Sequence, residues 1–147
     1  MRFAVLLFTL LMRFVVASED HWVVILSSSK FYFNYRHTVN SMYVYQIVKK
    51  LGIPDSNIIM MLPENHACHP RNPWQAEIYD GKSRENLYRG NVQVDYKHKE
   101  ITPESFLAVL TGRHPPDTPE FKKMMSNKNS KVLVFLNGHG GAGYLKI

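Results

Sequence analysis

The residues best suited to chemistry lie in Asn137-Gly-His-Gly-Gly141, where the run Lys131-Val-Leu-Val-Phe-Leu136 leads straight into a histidine set between glycines. An apolar run of that length predicts a buried strand that delivers His139 to the lip of a sheet, with glycines that let a substrate backbone come close. A histidine there suits general acid–base work, and such a base ordinarily serves a nucleophile. The plain alternative is a histidine that only caps a turn. Cys68 is the one cysteine in the chain. Paired with His139 it would make a dyad, but it sits in a proline-punctuated stretch rather than at a strand end, which argues against that role. His66, Cys68 and His69 are metal-ligand types, yet near neighbours do not easily converge on a tetrahedral zinc and no fourth ligand is evident. The chain as given is therefore expected to lack its own nucleophile.

The surrounding elements alternate. His21-Trp-Val-Val-Ile-Leu26 reads as a strand buried on both faces. Residues 36–51 predict a helix with Val39, Met42, Tyr43, Ile47 and Leu51 on one face, closed by Lys49, Lys50 and Gly52. Asn57-Ile-Ile-Met-Met-Leu62 predicts a second buried strand, so residues 22–62 form a βαβ unit. Residues 63–91, with Pro63, Pro70, Pro73 and Gly81, predict an extended surface excursion rather than packed core. Val92–Tyr96 alternates like a half-exposed strand, Thr102-Pro-Glu-Ser opens a helix to Gly112, and a short helical piece is expected near Glu120–Met125. The apolar run before His139 is then a third buried strand.

Of 147 residues, 45% are hydrophobic, which is ordinary for one modest globular domain. Residues 1–17 read as a secretory signal peptide: Arg2 opens a charged region, Phe3–Val16 is apolar apart from Thr9 and Arg13, and small residues precede a cleavage site after Ala17. An uncleaved anchor is disfavoured because the run is too short to span a bilayer comfortably. The net charge of +6 becomes +4 without Arg2 and Arg13, and the remaining basic residues are scattered, so nucleic acid is not a favoured partner. No Asn-x-Ser/Thr acceptor occurs, so the mature chain reads as lumenal, soluble and unglycosylated. In an oxidising lumen an unpaired Cys68 suggests an intermolecular bridge or a free thiol.

Phe33-Asn-Tyr-Arg-His37, Leu51-Gly-Ile-Pro-Asp55, Ala67-Cys-His-Pro-Arg-Asn-Pro73, Val92-Gln-Val-Asp-Tyr96, Leu110-Thr-Gly-Arg113 and Gly138-His-Gly-Gly141 come in the order seen in legumain-like cysteine peptidases. The chain after the signal peptide resembles that family throughout. It is most similar to the branch that transfers proteins onto glycosylphosphatidylinositol (GPI) lipids, through the Cys-His-Pro-Arg-Asn-Pro stretch, the Thr-Gly-Arg-His-Pro-Pro linker and Gly138. Asn-Tyr-Arg-His fits the asparaginyl endopeptidase branch equally well. A fragment of such an endopeptidase, or a non-catalytic isoform that only binds partners, stays open as an alternative.

The resemblance implies an α/β fold over residues 18–147, a caspase/legumain-like parallel sheet flanked by helices, incomplete at the C-terminus. It implies a cysteine thiolate that attacks a proprotein near its C-terminal GPI signal, and a GPI lipid amine that then displaces the enzyme. By match to the motif, His139 is the base and acid, the Gly140 amide a candidate oxyanion donor, and Asn34 the residue that orients the imidazole or the substrate. His37, close to Asn34, would line the site. The nucleophile would stand on a following strand, so this chain alone is expected to be inactive. Cys68 would form a disulfide to a large lumenal subunit of a GPI transamidase complex, in the endoplasmic reticulum and held to its membrane through that complex. No organic cofactor is implied. A structural calcium would fall on Asp55, Gln93 and Asp95, where a glutamine replaces one acidic ligand.

Overall fold

A computed structural model describes residues 21–82, 84–90 and 92–147; the segment read as a signal peptide lies outside the described residues. The run His21–Ser27 forms strand β1, and every residue from Trp22 to Ser27 is buried. It can be apolar on both faces because it lies inside the sheet, between β2 (Ile58–Leu62) and β4 (Lys131–Asn137), with β3 (Tyr96–Lys97) beyond β2. All pairings are parallel: Val23 is opposite Ile58 on one side and Leu133 on the other.

Alternation along β1 divides the core. Val23 and Ile25 pack with Met60 against Val39, Met42, Tyr45 and Val48 of helix α1 (Tyr35–Lys50). Trp22, Val24 and Leu26 pack with Met61 against Phe106 and Val109 of helix α2 (Pro103–Thr111), with Met124 beside them. Helices on both faces of a parallel sheet are the α/β architecture expected from the sequence. Each fully buried Ile, Leu or Met here contributes roughly 1.5–3 kcal/mol, so the sheet is the rigid body from which the loops at its C-terminal edge are hung.

Five expectations need correction. Ile47 and Leu51 are exposed, because α1 is rotated to bring the polar His37, Thr38 and Ser41 inward, where partners await them. Residues 63–91 are irregular but not a mere excursion: His66, Ala67, Asn72, Ile78 and Leu87 are buried and seal the far side of α1. Asn72 supports this by donating from Nδ2 to the carbonyls of His66, Ala67 and Glu77, which ties three points of an irregular backbone together. The strand read over Val92–Tyr96 shrinks to Tyr96–Lys97, and the helical piece to one 3-10 turn, Glu120–Lys122. Finally, β4 is an edge strand among the described residues, and Val132, Leu133, Val134 and Leu136 stand 39–49% exposed. Its apolar sequence matches that of β1, and only its place in the sheet differs. Beyond it, Gly140–Gly141 (β5) and Tyr144–Leu145 (β6) form a small antiparallel hairpin.

Candidate active site

Asn34 occupies the position before α1, where an asparagine side chain normally caps the helix; it makes no such cap. Its Nδ2 donates to the Lys30 carbonyl at 2.6 Å, and its Oδ1 lies 2.8 Å from Nε2 of His139. With the amide nitrogen committed to Lys30, Oδ1 can only accept, so the network assigns the imidazole proton to Nε2 and leaves Nδ1 as the basic nitrogen. Asn34 is 4% exposed and His139 is exposed, so a buried, fixed polar group holds Nε2 of an imidazole that solvent can reach. A capping residue diverted to a histidine 105 positions away is a local cost spent on the site.

The loop between β1 and α1 is itself held in an unusual shape. Phe31 has φ 72°, a left-handed conformation that a bulky residue adopts only when its surroundings enforce it. Its N–H donates to the Glu64 carboxylate, and its carbonyl accepts from Asn34 N at 2.9 Å and from Nε2 of His66 at 3.1 Å. His66, wholly buried, accepts in turn from the Thr38 hydroxyl through Nδ1 at 2.6 Å. The inward rotation of α1 thus serves the loop that carries Asn34.

On the other side, β4 ends at Asn137, which fastens to α1: Oδ1 accepts from Nδ1 of His37 at 2.9 Å, and Nδ2 donates to the His37 carbonyl at 2.6 Å. The His37 ring meets that of His139 edge-on, with centroids 5.1 Å apart, but His37 is not on the wall of the cavity that holds His139. Between Asn137 and His139 the backbone passes so close to β1 that a Cβ on Gly138 would lie 2.0 Å from the Ser28 hydroxyl oxygen. Any side chain there would have to push the Ser28 hydroxyl aside and hold φ 158°, which favours glycine.

Gly140 opens the β5–β6 hairpin, and a Cβ on it would lie 2.6 Å from the Tyr144 carbonyl oxygen. The register places Gly140 opposite Leu145, and the Lys146 amide donates to the His139 carbonyl at 2.8 Å. That bond marks the 140/145 pair as the non-hydrogen-bonded kind, in which both residues point N–H and C=O away from the partner strand. The Gly140 amide is therefore not used by the hairpin ladder and can serve an oxyanion.

Cys68 is exposed on the 3-10 turn His66–Cys68 and is not among the walls of the cavity that holds His139. Its neighbours are committed elsewhere. Both His66 nitrogens are bonded as described, and Nδ1 of His69 accepts from Arg71 N at 3.1 Å, so the zinc arrangement does not form. Asp55 and Asp95 are likewise saturated. Asp55 accepts from the Tyr45 hydroxyl and the Lys49 ammonium, each at 2.5 Å; buried Asp95 accepts from Met60 N at 2.8 Å and from Nε2 of Gln93 at 2.9 Å. Gln93 presents N–H rather than oxygen, and Lys49 stands where a cation's charge would act. As placed, these groups do not fit a calcium ion. Burial pulls the Asp55 carboxyl up, but the bonds from Lys49 and Tyr45 outweigh it and leave its pKa below the ordinary value, whereas burial dominates at Asp95 and raises it.

Asn34 and His139 are hydrogen-bonded to each other on one cavity, Gly140 follows His139 in the chain, and Cys68 stands outside that cavity. The sequence model of the peptidase C13 family matches residues 21–147. The chain belongs to the peptidase C13 family. Among curated relatives in it, the chain is 49% identical over 128 residues to the GPI-anchor transamidase of Homo sapiens, covering 86% of this chain and 32% of the relative. It is 49% identical over 127 residues to a putative GPI-anchor transamidase of Caenorhabditis elegans, covering 86% and 40%. The GPI-anchor transamidase of Schizosaccharomyces pombe is 41% identical over 149 aligned positions, covering 99% and 39%. The chain thus spans about a third of the length of the peptidase C13 relatives it matches. Sequence reasoning missed Asn137 as the residue that fastens the end of β4 to His37 of α1, although its type at a strand end, two residues before His139, was a usable signal.

Proposed function

We propose that these residues form the histidine-bearing part of a GPI-anchor transamidase, which exchanges the C-terminal signal of a proprotein for a GPI lipid. The observation that carries the reading is the convergence of His139, fixed by Asn34, with an uncommitted Gly140 amide at the C-terminal edge of a parallel sheet. A cysteine thiol gives its proton to Nδ1 of His139 and attacks the substrate carbonyl, whose oxyanion the Gly140 N–H stabilises. The C–N bond breaks, His139 returns the proton to the departing amine, and a thioester remains. The lipid amine then attacks, loses a proton to His139, and the C–S bond breaks to release thiolate. Asn34 Oδ1 steadies the imidazolium formed at each step, as the oriented partner does in other histidine-based triads.

Cys68 takes no part in this chemistry. Its exposure on a short turn suits a disulfide to another subunit of a complex in the endoplasmic reticulum lumen, a location that the signal-peptide reading supports. Among the described residues no helix is long and apolar enough to cross a membrane. The test is a cell line that lacks its own catalytic subunit, supplied with the full-length protein that contains these residues. Display of a GPI-anchored reporter is expected with the unsubstituted protein and not with His139→Ala. Release of the reporter as a free acid, without lipid, would instead favour the asparaginyl endopeptidase reading.

A further inference from the structure

Glu64 stands two residues beyond β2, after Pro63, where the chain leaving that strand meets the loop leaving β1. Its side chain is 26% exposed, and both carboxylate oxygens face a donor. Oε2 accepts from the Phe31 N–H, and Oε1 lies 3.5 Å from Nε2 of His69. Because Nδ1 of His69 accepts from Arg71 N, its ring proton is on Nε2 and faces Glu64. The carboxylate is not on the wall of the cavity that holds His139, and the chemistry above does not use it.

The Phe31 N–H and the Lys30 C=O are the two ends of one peptide group, which is planar and turns as a unit. Glu64 holds the N–H end, and the C=O end accepts from Asn34 Nδ2 at 2.6 Å. Asn34 Oδ1 in turn lies 2.8 Å from Nε2 of His139. A continuous chain of hydrogen bonds therefore runs from the carboxylate, through a peptide and an amide, to the imidazole. Every donor in it points toward the carboxylate, so each bond polarises the next in the sense that favours positive charge on His139.

The Phe31 side chain does not account for this arrangement, since it is 64% exposed and stacks on its near neighbour Phe33. The backbone of Phe31 nevertheless has φ 72° and ψ 145°, close to a region that glycine nearly monopolises. A phenylalanine relaxes from there by turning the peptide on its N-terminal side, which would carry the Lys30 carbonyl away from Asn34. The bond to Glu64 opposes that turn.

We propose that Glu64 is a positioning residue for His139: it fixes the Lys30–Phe31 peptide for Asn34 and relays negative charge through both to the imidazolium. The proposal rests on the reading of His139 as general base in the transamidase. It adds the carboxylate that other histidine-based triads place directly on the ring.

The experiment follows steady-state release of the C-terminal fragment of a peptide substrate by the full-length protein in its complex. Glu64→Ala should lower kcat about tenfold, and no further than Asn34→Ala does, with KM within about twofold. Glu64→Gln, whose Oε1 can still accept from the Phe31 N–H, should recover most of that loss, and the remainder measures the charge. Because Glu64 acts through Asn34, the Glu64→Ala, Asn34→Ala double variant should be no slower than Asn34→Ala alone, whereas a residue that only stabilised the fold would add its own loss. Amide hydrogen exchange of residues 28–35 reads the clamp without catalysis, and Glu64→Ala should speed it. Additive losses, an unchanged kcat in Glu64→Ala or unchanged exchange would each overturn the proposal while leaving the transamidase reading intact. An unsubstituted complex that releases no fragment would sink that reading and the proposal with it.

Discussion

Asn137, the last residue of β4, and His37, in the first turn of α1, hold each other by two hydrogen bonds: the ring Nδ1–H donates to Oδ1, and Nδ2 donates to the His37 carbonyl. This pair locks the end of an exposed edge strand to a buried helix, two residues before His139. Asn137→Ala would leave the His37 Nδ1–H without its partner, at a cost of about 1–3 kcal/mol. Denaturant unfolding of the full-length protein should show that loss. Activity should fall further than stability does, because the strand end is free to move.

His139→Ala should remove activity by several orders of magnitude, since both the proton acceptor and the proton donor are lost. Asn34→Ala leaves the imidazole in place but unoriented, and should lower kcat by about 10- to 100-fold with a smaller effect on KM. Steady-state kinetics of the two variants in one complex decides the matter: an Asn34→Ala defect as deep as that of His139→Ala would show that Asn34 does more than orient.

β1 and β2 were legible because an apolar run of strand length has few alternatives once serines bound it, as after β1, or prolines do, as around β2. The edge position of β4 was not, since Val132–Leu136 reads like β1 and only pairing decides which strand lies inside. The face of α1 was misjudged for a related reason: apolar periodicity ignores Thr38 and Ser41, whose burial depends on His66 and Asn137 far away in sequence. The resemblance offered Asn34 as a partner for either the imidazole or the substrate, and only the fold shows its Oδ1 on Nε2 of His139 across two loops.

Asp55 predicts a pH dependence. Its folded pKa is depressed below the ordinary value of 3.8, so its bonds to Lys49 and Tyr45 add stability that is present above that value and is lost as the pH falls through the folded pKa. Thermal midpoints of the unsubstituted protein and Asp55→Asn should differ at neutral pH and converge in strong acid. A constant gap across that range would mean that the carboxylate's charge is not what stabilises the α1–β2 connection.

Cys68 makes a simple prediction about assembly. If it is bridged to a partner subunit, the complex should run on a non-reducing gel as a covalent pair that Cys68→Ser abolishes, while transfer persists at reduced complex yield. Identical mobility of the two proteins without reductant removes the bridge from the proposal.

The edge strand supplies the last prediction. Leu133 is 49% exposed on β4, and with Val132, Val134 and Leu136 it offers an apolar strand whose outer backbone groups have no neighbouring strand among the described residues. Such an edge pairs with whatever strand it meets, and natural edges are commonly guarded by a lysine. The 147-residue chain expressed by itself should therefore self-associate in a concentration-dependent way. Leu133→Lys places a charge on the open face and costs little burial, so it should shift the population toward monomer at equal concentration. Light scattering across a dilution series reads this directly, with circular dichroism to check that the variant stays folded. A chain that is monomeric at every concentration, with a sharp thermal transition, would refute the exposed edge as the source of association.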